Sequence, residues 1–233
     1  MKKFYFIVAS LAAMFLTVRA EAQITVGAGY NLGTLTQRFN GESDSEGLGG
    51  FYLEATYDWD FMNGGWGIIG LQPGVRFSYM GDSEKEEGAG LKTVASFNET
   101  YLDIPVNVRY SYYLGPVKLS AFAGPVFSVG LSSVRKSRVT GNLAGQEVDY
   151  TIKYHQYSGK TVTEGTDAPS ASPAMDYARF DLKLGVGFGA NFMERFNVKL
   201  GYNFGLLNRY TGEQRDEMKW HTGVFYVGLG YSF

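Results

Sequence analysis

Residues 101–131 read YLDIPVNVRYSYYL, then Gly115-Pro116, then VKLSAFAGPVFSVGL. In the first half Leu102, Ile104, Val106, Val108, Tyr110 and Tyr112 share one parity, and Asp103, Asn107, Arg109 and Ser111 take the other. In the second half Val117, Leu119, Ala121, Ala123, Pro125, Phe127, Val129 and Leu131 oppose Lys118, Ser120, Gly124, Ser128 and Gly130. A period of two is the mark of a strand. Each run exceeds the usual strand of about 5–6 residues. The stretch is a long hairpin with one apolar face, and that face needs a large apolar partner outside the hairpin.

The same alternation recurs at 24–35, 51–61, 67–79, 177–192, 196–206 and 225–233, which brings the expected strands to eight. Asn63-Gly64-Gly65, Gly115-Pro116 and residues 193–195 read as short turns. Residues 37–48, 81–96, 133–176 and 208–219 are polar and read as long loops. Within the third, Val148, Tyr150, Ile152 and Tyr154 alternate, as a hairpin continuing into solvent would. Long and short connections alternate strictly. That is the pattern of an eight-stranded antiparallel up-and-down transmembrane β-barrel.

An eight-stranded interior is just wide enough for side chains to fill. Rows of Leu, Ile, Val, Phe and Tyr cannot fit inside it, so the bulky parity is expected to face lipid and the small, polar parity to fill the lumen. Trp59, Phe61, Trp66, Tyr112, Phe192, Phe196 and Phe233 are expected to form an aromatic girdle at the turn end. Tyr79, Tyr177, Tyr210 and Trp220 are expected to form its counterpart at the loop end. The inward charges are Glu54, Asp58, Asp60, Arg76, Asp103, Arg109, Lys118, Asp181, Lys183 and Lys199, five of each sign. Charges in a confined lumen must pair. A structural polar network is expected there rather than an open conduit.

The N-terminus supplies an address. Lys2 and Lys3 precede an apolar run over 4–18, and Ala20-Glu21-Ala22 fits the small-x-small cleavage rule. Residues 1–22 are expected to be an export signal and residues 23–233 an outer-membrane β-barrel domain. Both mature termini should then lie in the periplasm, with 133–176 outside the cell. A net charge of -2 leaves no basic stripe for nucleic acid, and the absence of cysteine excludes a disulfide scaffold or thiolate zinc site.

The segment Tyr101-Leu-Asp-Ile-Pro-Val-Asn-Val-Arg-Tyr110 resembles the YLEIPLxxKY signature of the PorT-like outer-membrane β-barrel family of the Bacteroidetes. Ala123-Gly124-Pro125 with Phe127 and Gly130, and Arg179-Phe-Asp-Leu-Lys-Leu-Gly-Val-Gly187, resemble later strands of that family. The resemblance implies an OmpX/OmpA-like barrel with a task that is usually unassigned, one branch serving as an accessory of a protein secretion system. Tyr231-Ser232-Phe233 also resembles the terminal aromatic signal read by the barrel assembly machinery.

Catalytic patterns are sparse. No G-x-S-x-G elbow, H-E-x-x-H or P-loop occurs. His221 with Ser133 or Asp216 is what a lipid A-modifying barrel enzyme could assemble. Glu42, Asp44, Glu46, Asp82, Glu84, Glu86 and Glu87 could meet divalent cations with lipopolysaccharide, but their spacing fits solvated loop charges better. The expectation is a non-enzymatic barrel without cofactor. Its expected partners are outer-membrane lipid, lipopolysaccharide, the assembly machinery and a protein met by the surface loops. A narrow solute or ion pore is the alternative, and a lipid A enzyme the second.

Overall fold

The computed structural model describes residues 23–88, 90–143, 146–165, 177–212 and 214–233. The expected export signal lies outside them. Ten strands follow in order: β1 (Gln23–Phe39), β2 (Glu42–Gly64), β3 (Gly67–Gly88), β4 (Leu91–Leu114), β5 (Val117–Leu143), β6 (Gln146–His155), β7 (Lys160–Gly165), β8 (Phe180–Phe192), β9 (Phe196–Gly205) and β10 (Met218–Ser232). Every pairing is antiparallel.

Eight of the ten close a ring in the order β1-β2-β3-β4-β5-β8-β9-β10, and β10 returns to β1 from Thr25↔Ser232 to Phe39↔Met218. The up-and-down barrel expected from the sequence is thus present. Closure leaves no backbone edge in the hydrocarbon, where each unpaired amide or carbonyl would cost several kcal/mol (roughly).

The two faces separate as the alternation requires. Val108 is 55% exposed and Tyr110 42%, whereas Asn107 is 4% and Arg109 2% exposed. Trp59, Phe61, Trp66, Tyr112, Phe192, Phe196 and Phe233 are exposed at the turn end. Inside, glycine makes room for the few bulky residues. A Cβ at Gly29 would lie 2.5 Å from Tyr52 Cε1, and one at Gly201 2.4 Å from the Tyr226 hydroxyl.

The expected loops differ from what is found. Residues 37–48 are strand on both sides of an Asn40-Gly41 turn, with φ of 49° and 88°, the geometry that Asn-Gly favours in a two-residue hairpin. Residues 81–96 likewise continue β3 and β4 up to Gly88↔Leu91. The reason is physical. Beyond the membrane both faces of a strand meet water, so the apolar signal stops while backbone pairing continues.

β5 carries this furthest. Its first half, Val117–Val129, pairs with β8, and its second half, Val134–Leu143, pairs with β6. β7 then pairs with β6. The alternation through Val148, Tyr150, Ile152 and Tyr154 is therefore β6, standing on the barrel's rim opposite the short turns. Beyond Gly49↔Gly81 β2 and β3 part. A cleft of about 610 Å³ opens there, lined by residues of β2 to β6, and Arg135 of β5 meets Glu46 of β2 at its wall at 3.4 Å.

Two girdle residues are corrected. Trp220 is 1% and Tyr177 6% exposed, both inside the mouth. Trp220 shares the inward parity of Thr222, Val224 and Tyr226 in β10, and Tyr177 sits on a bridge to Tyr210 outside any strand. The lumen away from the short turns is also more apolar than expected, with Leu35, Leu48, Met80, Phe97, Tyr101 and Val224 forming one buried cluster.

Spin labels placed singly at Asn107 and Val108 should report opposite environments, with Val108 collisional with lipid-soluble relaxants and Asn107 not. Equal lipid accessibility at both positions would refute this register.

Candidate functional site

The lumen gathers buried ionisable side chains, and they stack in levels. At the turn end Arg109 of β4 forks onto two carboxylates of β2. Nη1 donates to Asp58, and Nη2 donates to Asp60 Oδ1 at 2.6 Å. Strand β3 lies between them, and Gly70 faces both Asp60 and Arg109 in register. A Cβ at Gly70 would lie 2.5 Å from Asp60 Oδ1, so glycine clears the path. Gln72 Nε2 donates to Asp58 at 2.7 Å, and Lys118 Nζ stands 3.9 Å from Asp60.

Above it, Glu54 and Arg76 are direct cross-strand partners. Arg76 donates through Nε at 3.1 Å and Nη2 at 2.7 Å to Glu54 Oε2. Lys199 reaches across the barrel to the other oxygen at 3.0 Å. The guanidinium of Arg76 is held between the rings of Tyr52 and Tyr226, 4.5 and 3.9 Å from their centroids. Such stacking favours arginine over lysine, because its charge is planar and weakly hydrated.

The third level centres on Asp103. It accepts from Ser128, from Ser78 at 3.4 Å and from Lys183 at 3.4 Å. Asp181 accepts from Thr222 at 2.9 Å. The register explains the grouping, since Glu54, Arg76, Asp103, Ser128 and Asp181 follow one another from strand to strand. All eight residues of the expected lumen network, Glu54, Arg76, Asp103, Arg109, Lys118, Asp181, Lys183 and Lys199, are buried.

A fourth level closes the mouth at the end opposite the short turns, and sequence reasoning missed it. Glu99 of β4 is 1% exposed and accepts from Arg209 Nη2 at 2.8 Å. Tyr101 and Tyr157 also donate to Glu99. Glu99 had a signal, for it shares the inward parity of Asp103. Arg209 had none, because it lies between β9 and β10 where no periodicity runs. Tyr157 stands beyond β6, and burial, then the Glu99 charge, pushes its hydroxyl above the ordinary tyrosine range. It therefore remains a donor at physiological pH.

The residues weighed for catalysis do not converge. Ser133 donates to Gln156 Oε1 at 2.5 Å, on the β5 side of the ring. His221 stands on β10 opposite Thr36 of β1. Among the described residues, no three His, Cys, Asp or Glu side chains gather as a metal site would require.

The model of the outer membrane protein beta-barrel domain matches residues 6–233. The chain belongs to that family. No curated protein matches it. Solved structures do resemble this barrel domain. One is Ail, the attachment invasion locus protein of Yersinia pestis, in complex with the heparin analogue sucrose octasulfate. It is 15% identical, with a TM-score of 0.44, over 92% of this chain and 100% of that one. Another is Neisserial surface protein A, 12% identical with a TM-score of 0.39, over 92% of this chain and 98% of that one. A third is the outer membrane protease OmpT from Escherichia coli, 10% identical with a TM-score of 0.34, over 91% and 96% of the two chains. The barrel domain is an outer-membrane protein by family.

The paired charges give a stability prediction. Arg109→Ala strands Asp58 and Asp60 in the lumen, and stability should fall by about 3–5 kcal/mol, the cost of breaking a buried pair. Urea unfolding from lipid vesicles measures it. A loss below about 1 kcal/mol, the scale of a surface pair, would contradict a desolvated network.

Proposed function

We propose that this barrel-domain protein is a non-enzymatic anchor. It displays an extramembrane sheet to a protein or envelope component at the cell surface. In this reading residues 1–22 direct export, both mature termini lie in the periplasm, and Tyr231 and Phe233 serve assembly. The resemblance to the PorT-like family supports a role as a secretion-system accessory within it.

One observation carries the reading. The interior is paired at four levels, whereas among the described residues the strands outside the ring form the sheet built on β5. That strand is 27 residues long, and about 9–11 suffice to cross the hydrocarbon. The surplus is stiffened rather than left as loop. Arg138 and Asp149 pair at 3.2 Å between β5 and β6, and Lys153 and Glu164 at 2.7 Å between β6 and β7. The hydrogen bond from Lys153 holds the Glu164 carboxyl below its ordinary value. Solvated, paired and projecting, this sheet is suited to contact, and the lumen to support.

Deletion of residues 146–165 should leave a heat-modifiable, membrane-inserted barrel and abolish crosslinking to the surface partner in intact envelopes. Retention of every crosslinked species would remove the projecting sheet from the function. Planar bilayers holding the intact protein should stay silent. A stable unit conductance altered by Arg76→Ala or Glu54→Ala would favour a pore instead.

A further inference from the structure

The outer mouth contains an arrangement that the lower levels lack. Arg76 and Arg109 ride on ring strands and cannot leave them. Arg209 rides on the connection between β9 and β10, outside any strand, yet it is 0% exposed. Its Nη2 donates to Glu99 Oε1 at 2.8 Å, to the Tyr157 hydroxyl at 2.9 Å and to the Ala178 carbonyl at 3.1 Å. Its Nη1 donates to the Tyr101 hydroxyl at 3.1 Å. The guanidinium also lies 4.1 Å from the centroid of Tyr177 and 5.3 Å from that of Tyr101.

Most of the enclosure comes from elements other than the connection that fills it, while Tyr177 is bridged to Tyr210 of that connection. Glu99 and Tyr101 come from β4, Tyr157 from the turn after β6, and Tyr177 from the approach to β8. A carboxylate, two hydroxyls that both donate to it and accept from the cation, and an aromatic face make a receptor for a planar delocalised cation. The occupant does not saturate it. Arg209 Nε and the Tyr177 hydroxyl, both buried, find no hydrogen-bond partner among the described residues. Behind the guanidinium, Arg209 N donates to Trp220 O at 3.0 Å and Ala178 N to Arg209 O at 2.8 Å, and the Asn208 side chain ties the same connection to Arg215, Met218 and Trp220.

We propose that Glu99, Tyr101, Tyr157 and Tyr177 form a guanidinium-binding site at the barrel's outer mouth, with the chain's own Arg209 as its resident ligand. Arg209 is then a self-ligand that latches the connection on both sides of it to the mouth. An arginine side chain offered from outside competes for the same cage. This goes beyond surface display and does not rest on it, since the cage lies in the mouth and takes only Tyr157 from the turn between β6 and β7.

The test uses the full mature chain in vesicles. In Arg209→Ala, amide exchange and tryptic cleavage at Arg215 should accelerate by more than about tenfold, the factor that ~1.4 kcal/mol produces. Exchange across β4 should stay as in the parent, which monitors the fold. Guanidinium chloride below denaturing concentration should restore protection, and equal sodium or ammonium chloride should not. Parent-like protection in the variant would overturn the latch. Failure of guanidinium to restore protection, or equal rescue by sodium, would overturn the binding site. In the unaltered protein, guanidinium should raise exchange across 206–217 selectively over β4. This arm stands even if the variant does not assemble, and the absence of a selective rise would overturn external competition.

Discussion

Backbone hydrogen bonding in hydrocarbon has one solution for a sheet, which is to close on itself. The rest of this molecule follows from that closure. β1 must meet β10, and it does so down to the amide of Phe233 on the carbonyl of Ile24 at 2.9 Å. With eight strands the enclosed space admits side chains and little else. Each bulky inward residue then needs a vacancy beside it, which explains Tyr52 against Gly29 and Tyr226 against Gly201. Each inward charge needs a partner within reach, because water cannot serve it there. Glycine content, charge balance and aromatic placement are consequences of one geometric condition.

Much of this was legible because a membrane strand has two unlike faces. Leu102 to Tyr112 against Asp103 to Ser111 gives the side of every residue, and the cross-strand row from Glu54 to Asp181 follows once the strands are laid in order. What was not legible lies where the faces become alike. Residues 37–48 and 81–96 stand in water on both sides, so polar composition there concealed strands that the backbone still forms. Trp220 could have been placed correctly from its parity with Tyr226, but its position near a strand end suggested an interfacial girdle. Arg209 was beyond reach, since contact between a connection and β4 across more than a hundred residues leaves no local trace.

The levels of the lumen differ in how they hold charge. At the turn end Arg109 is fixed by two carboxylates, and the geometry is that of a bidentate pair with a second acceptor. In the middle Arg76 combines a carboxylate with two aromatic faces. At the mouth Arg209 pairs directly with Glu99, and the hydroxyls of Tyr101 and Tyr157 bond to both members of the pair. The same pairing rule is met by progressively more neutral groups towards the outside. An apolar cluster of Leu35, Leu48, Met80, Phe97, Tyr101 and Val224 shares that outer half, where uncompensated charge would be hardest to solvate.

The change of partner along β5 has a mechanical side. Below Val129 the strand is held on one flank by β8, above Val134 by β6, and on the other flank by β4 along nearly its whole length. A force applied to the outer sheet away from the membrane therefore runs into the wall through the β4–β5 seam, parallel to the strands. Its hydrogen bonds are loaded together, in shear, and do not open one at a time. β8 to β10 stand aside from that line of tension. A sheet built in this way shares load on its tip along the β4–β5 seam.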